Sequence, residues 1–128
     1  MIPQYVAASL VSENKVLAHP ASVDSIPTSA GQEDHVSMGN AAGLKAWQVL
    51  ANAERVLAIE LLAVAQAVEF LAPLQPGKGV RATREFVRSL SPRLRDDRPL
   101  AGDIEAVSAA VRDGSLVAAV ESEVGELR

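Results

Sequence analysis

Between Leu50 and Leu71 the apolar residues Leu50, Leu57, Leu61, Val64, Val68 and Leu71 recur at steps of seven, four, three, four and three. That spacing lays them along one stripe of an α-helix. Val49, Val56, Ile59 and Leu62 give the same helix a second apolar face. The periodicity predicts a long bundle helix over 40–72, with Ser37 as its N-terminal cap and the run PLQPGKG, Pro73 to Gly79, as its end. A helix apolar on two faces needs cover on both, or it leaves a patch that drives aggregation. The expected cover is other copies of the chain, making a homo-oligomer through the long helix, or parts of the protein absent from this chain.

Val6, Leu10 and Leu17 also recur at helical spacing, and Pro3 suits a first turn, which predicts a helix over 3–18. Short helices are expected over 80–128. Val80, Phe86, Val87 and Leu90 mark one, and Asp103 is placed to cap another that runs to about Arg112. Gly114 stops it, and Ser115 opens a last helical turn or two. No run alternates as a strand does, and no segment repeats. The expected class is all-α, with residues 1–128 forming one segment of a larger helical domain.

The exception is HPASVDSIPTSAGQEDHV, residues 19–36, which has neither period and carries two prolines, one glycine and four serine or threonine residues. A connection this long between helices is functional or disordered, and the apolar helices on either side hold its ends. It packs Gln32, Glu33, Asp34 and His35 side by side. Glu33 and Asp34 are neighbours, so in extended backbone their side chains point apart and do not serve as acid and base on one atom. One is expected to face a ligand and the other the structure. From chemistry alone, the alternative is that both cap helices or pair with arginine. His19 and His35 are the only histidines, and their spacing matches no helical metal pair, so no metal is expected. PGKG lacks the frame of a phosphate loop and ends a helix.

Composition changes this picture in few places. Of 128 residues 48% are apolar but only 3% aromatic, which suits close-packed helices of Ala, Leu and Val. The net charge of −4 argues against a general nucleic-acid partner. Seven Lys or Arg against three acids between Lys78 and Arg98 read as a solvated helix surface. There is no cysteine, hence no disulfide or thiolate site. The N-terminus has no basic stretch followed by an apolar run, so no signal peptide is expected. VLAIELLAVAQAV, Val56 to Val68, is broken by Glu60 and Gln66 and is too short and polar for a membrane span. A cytoplasmic location is expected.

The run SENKVLAHPASVDSIPTSAGQEDHVSMG, Ser12 to Gly39, together with QYVAA before it, RVLAIELLA at Arg55 to Ala63 and DIEA at Asp103 to Ala106, closely resembles the histidine ammonia-lyases of the aromatic amino acid lyase family. The likeness is dense before Pro73, looser after it, and covers only the C-terminal portion of that enzyme. It implies an all-α homotetramer whose long helices build a central bundle, and a cytoplasmic conversion of L-histidine to trans-urocanate and ammonia. The family's electrophile is a methylidene-imidazolone formed from Ala-Ser-Gly. That tripeptide is absent here: Ala21-Ser22 is followed by Val23, and Ser29-Ala30-Gly31 has the wrong order. The family's tyrosine base and carboxylate-gripping arginine also lie upstream.

The resemblance carries over to two positions. Glu33 in QEDHVS corresponds to the active-site glutamate, both catalytic and substrate-binding, and Gln32 to the neighbouring substrate-binding glutamine. A carboxylate accepts a hydrogen bond from an imidazole N–H, whereas phenylalanine- and tyrosine-specific relatives carry an amide at the position of Glu33. Asp34 and His35 are assigned to structuring the loop. The expected protein is therefore a C-terminal fragment of a histidine ammonia-lyase, inactive alone, with no cofactor formed in this chain. The competing expectation is a non-enzymatic helical oligomerisation module in which the loop is a relic.

Overall fold

A computed structural model describes residues 2–127; Met1 and Arg128, the outermost positions of the predicted segments, lie outside the described residues. Among the described residues there are five α-helices: α1 (Ile2–Leu17), α2 (Gly39–Glu69), α3 (Lys78–Leu90), α4 (Ala101–Arg112) and α5 (Ser115–Val124). Among the described residues β pairing is confined to one isolated bridge, between Thr28 and Glu33. α2 is the spine, 31 residues long, or roughly 46 Å at about 1.5 Å per residue. α1 and α4 lie along it, and α3 packs against both α2 and α5. Among the described residues no helix is long and apolar enough to cross a membrane.

The core is built where α2 presents small residues. Ala58 and Ala65 are 0% and 3% exposed, and Val87 of α3 and Val107 of α4 close on them. Leu61, Leu62, Ile104 and Leu116 pack around this centre. Alanine there lets the helices approach closely, and burial of the facing valines supplies the apolar contact.

The single stripe expected on α2 divides in two. Leu61 turns into the core, and Val68 is half-buried. Leu50, Leu57, Val64 and Leu71 stay 57%, 48%, 47% and 57% exposed. The reason is angular. At about 100° per residue, a step of seven returns to within about 20° of its start, while a step of four overshoots by about 40°. The four-residue steps to Leu61 and Val68 therefore swing those side chains toward the α3 side. A seven-residue line of exposed leucines and valine remains on the outside.

α1 buries none of its side chains and is attached by polar contacts. The amide of Asn52, 3% exposed, donates to Glu13 Oε2 at 2.8 Å and Asn14 Oδ1 at 2.9 Å, and Gln48 donates to Glu13 Oε1 at 3.1 Å. α4 is tied to α2 by Arg112, whose Nε donates to Glu54 Oε2 at 2.8 Å. The basic run after Pro73 is more than a solvated surface. Arg88 donates to Glu69 at 2.6 Å and to Gln66 at 3.2 Å, and Arg93 lies 3.2 Å from Glu69. These contacts clasp α3 and the segment after it to the end of α2.

Two helix ends differ from expectation. Met38, not Ser37, stands at the N-cap of α2, and the Ser37 hydroxyl accepts the Gly39 N–H at 3.3 Å from one residue earlier. α4 begins at Ala101, so Asp103 lies inside its first turn and not at the cap. Asp103 is buried and accepts from Arg98, an acidic side chain among the free N–H groups of a helix start. Gly114 adopts the left-handed φ of 78° that separates α4 from α5, and Asp113 Oδ1 accepts the Ser115 N–H at 2.9 Å.

Burial alone would raise the pKa of Asp103. The hydrogen bonds from Arg98 and Ser91 and the Arg98 charge outweigh it and hold the carboxyl below the usual carboxylate range. The folded value lies below the unfolded one. The stabilisation is therefore complete above the unfolded pKa of about 3.9 and is lost as pH falls through the folded value. Arg98 is 33% exposed, so solvent screens part of the pair. Asp103→Asn is expected to cost about 1–2 kcal/mol at neutral pH and to flatten the loss of thermal stability below about pH 4. Circular-dichroism melts at neutral and acid pH check this. Parallel pH slopes for parent and variant would remove Asp103 from the account.

Candidate active-site loop

The connection from Ala18 to Met38 contains one single turn of tight helix, Ala21–Val23, and a left-handed turn at Ser29–Gly31, and is cinched at three places. At its start the Lys45 ammonium of α2 donates to the His19 carbonyl. In its middle the Ser25 hydroxyl donates to the Val36 carbonyl at 3.1 Å and accepts the Val36 N–H at 2.7 Å. Inside that closure Thr28 and Glu33 pair through their backbones: Thr28 N–H to Glu33 O at 2.8 Å, and Glu33 N–H to Thr28 O at 3.3 Å.

The residues between Thr28 and Glu33 turn through left-handed backbone. Ser29, Ala30 and Gly31 have φ of 53°, 55° and 86°. Glycine adopts this freely, but for Ser29 and Ala30 it costs about 1–2 kcal/mol each. Such a turn persists because its surroundings over-determine it. Gly31 N–H donates to Thr28 O at 3.0 Å, and Gln32 N–H to Ser29 O at 3.2 Å.

The turn aims one carboxylate. Thr28 Oγ1 donates to Glu33 Oε2 at 2.7 Å, and Ser29 Oγ reaches the same oxygen at 3.4 Å. Among the described residues Glu33 Oε1 takes no hydrogen bond, and Glu33 enters no ion pair and caps no helix. Gln32 stands beside it with its backbone N–H used and its side chain exposed. Asp34 and His35 are exposed too, and among the described residues their side chains make no hydrogen bond. The alternative in which both acids cap helices or pair with arginine therefore has no contact here. The contacts that shape the loop belong to Ser25, Thr28, Ser29 and Lys45. None of these stood out in the sequence, because hydroxyl residues are ordinary loop composition and the partners of Thr28 and Ser29 are set by the left-handed turn.

Among the described residues no group of three or more His, Asp or Glu could hold a metal ion. A groove of about 510 Å³ lined by Leu17, His19, Pro20, Lys45, Val49 and Leu50 runs past the loop's first residues, not past Glu33. Glu33 and Gln32 stand side by side and exposed on the loop. They offer a carboxylate acceptor and an amide, beside the hydroxyls of Thr28 and Ser29.

The sequence profile of the aromatic amino acid lyase family matches residues 1–89, the span of α1, the loop, α2 and nearly all of α3. The chain belongs to the aromatic amino acid lyase family. It is 57% identical over its whole length to the histidine ammonia-lyase of Natranaerobius thermophilus, and 61% identical over 127 residues to that of Symbiobacterium thermophilum. In both cases the chain spans 25% of the relative's length. The crystal structure of the Trypanosoma cruzi histidine ammonia-lyase superposes with a TM-score of 0.89 at 46% identity, covering 96% of this chain and 24% of that one. The tyrosine aminomutase of Streptomyces globisporus also gives 0.89, at 39% identity over 98% of this chain and 24% of its own. One lyase-family backbone thus underlies proteins named for histidine and for tyrosine.

Proposed function

We propose that this chain is the portion of a histidine ammonia-lyase that supplies Glu33 and Gln32 to an active site completed by the rest of the enzyme. The supporting observation is Glu33 itself, held through Oε2 by Thr28 and Ser29 with Oε1 left to accept. The reaction is the cytoplasmic degradation of L-histidine to trans-urocanate and ammonia. Glu33 accepts the imidazole N–H, and that hydrogen bond is strong because one partner is ionised. A phenyl ring would leave the same carboxylate desolvated without compensation. Gln32 contacts the substrate beside it. Asp34 and His35, which make no tie of their own in this chain, position the loop against surfaces of the enzyme beyond it.

The residues present do not fit the family's methylidene-imidazolone. Ser29-Ala30-Gly31, one of the near matches to its Ala-Ser-Gly precursor, is the left-handed turn that holds Glu33, so no step through that group is derived from this chain. The exposed line of Leu50, Leu57, Val64 and Leu71 supplies the means of assembly, at the seven-residue repeat that suits helix against helix.

The test is urocanate formation from L-histidine, followed by ultraviolet absorbance. It is run with the chain alone, then with the chain complemented by the upstream segment of the Symbiobacterium thermophilum relative. Formation only on complementation is expected. Activity of the chain alone would overturn the division of the site, and inactivity with both pieces folded would overturn the lyase reading.

A further inference from the structure

We infer that Thr28 is the positioning residue that makes Glu33 a one-sided acceptor, fixing Oε2 so that Oε1 alone meets the substrate. The inference rests on the lyase reading above and adds to it the residue that enforces the geometry.

Thr28 holds Glu33 three times: through its own N–H at 2.8 Å, its own carbonyl at 3.3 Å and its hydroxyl at 2.7 Å. The two backbone contacts fix where the Cα of Glu33 stands. The hydroxyl contact fixes the far end of a flexible side chain that is otherwise exposed. An exposed glutamate with no such tether samples several rotamers, and ordering it on ligand binding costs conformational entropy. Ser29, at 3.4 Å and on a left-handed backbone, is the weaker holder. Thr28, half-buried at the root of the turn, is the stronger. The hydroxyl donates to Oε2, so that oxygen is occupied while the carboxylate plane is set. An incoming N–H meets Oε1 from one direction. Misalignment of a pre-organised contact by about 1 Å lowers rates by on the order of a hundredfold, which gives a single hydroxyl its leverage.

The experiment uses the complemented lyase and four variants: Thr28→Val, which removes the hydroxyl at nearly constant shape, Thr28→Ser, which keeps it, Glu33→Gln, and Thr28→Val with Glu33→Gln. For L-histidine, kcat/KM should fall about tenfold or more in Thr28→Val and by less than about threefold in Thr28→Ser. In the Glu33→Gln background Thr28→Val should cost less than about threefold, because the carboxylate it aims is gone and the two effects are coupled. A role confined to folding would cost the same in both backgrounds and would appear as a lower melting temperature of Thr28→Val. Equal losses in the two backgrounds, or equal losses for Val and Ser, would overturn the positioning role while leaving the lyase reading in place. A parent that forms no urocanate would overturn the lyase reading itself and the positioning role with it.

Discussion

Glu33→Gln is expected to lower kcat/KM for L-histidine in the complemented chain by about 10- to 100-fold, with helix content and assembly unchanged. A hydrogen bond to a charged group is worth about 1.5–3 kcal/mol, and about 1.4 kcal/mol is tenfold. Geometry adds a second reason. In the amide variant the carbonyl oxygen best replaces Oε2 as acceptor of the Thr28 and Ser29 hydroxyls. The NH₂ then occupies the place of Oε1 and meets the imidazole N–H donor to donor. The folded chain has little to lose, since Glu33 is exposed and pairs with no basic residue among those described. Steady-state kinetics with circular dichroism and light scattering decide it. A parallel loss of assembly would make Glu33 a structural residue.

Leu57→Asp is expected to reduce the complemented assembly to smaller species while leaving the melting temperature of the isolated chain within a degree or two. Leu57 is 48% exposed in this chain and belongs to the outer line with Leu50, Val64 and Leu71. An aspartate there is solvated in the free chain. Covered by a partner helix it becomes a buried charge without a counter-ion, which is disfavoured by several kcal/mol. Leu61→Asp, four residues on, is expected to behave in the opposite way. Leu61 packs on Ala58, Ala65, Val87 and Val107, so the charge would enter the chain's own core and lower its stability before any question of assembly arose. Light scattering and thermal melts on the two variants separate the faces. Parent mass retained in Leu57→Asp would remove this line as the interface.

The all-α class was legible because apolar residues on α2 repeat at the helical period and no segment alternates. What the pattern could not divide was the stripe from Leu50 to Leu71. Every member is apolar, and which of them faces α3 depends on about 40° of rotation per four-residue step, an angle that acquires meaning only once α3 is placed. Asp103 was readable as an acid near a helix start, but its partner Arg98 comes from the preceding segment, and against the effect of burial the hydrogen bonds from Arg98 and Ser91 and the Arg98 charge lower its pKa. At the loop, Glu33 and Gln32 emerged from the resemblance and not from periodicity. Thr28 passed unnoticed because a threonine among prolines and serines looks like ordinary loop composition. Its significance comes from φ values that put it opposite Glu33, and left-handed φ at Ser29 and Ala30 is not what those residue types suggest.

That turn also governs how the loop can fail. Ser29 and Ala30 together hold about 2–4 kcal/mol of backbone strain, restrained by the pairing of Thr28 with Glu33. Loss of that pairing would release the strain, so the closure of the turn and the aim of the carboxylate are coupled through the backbone. A substitution that breaks the backbone pairing of Thr28 with Glu33 should therefore abolish the aimed acid, whereas Thr28→Val, which spares that pairing, only loosens its far end.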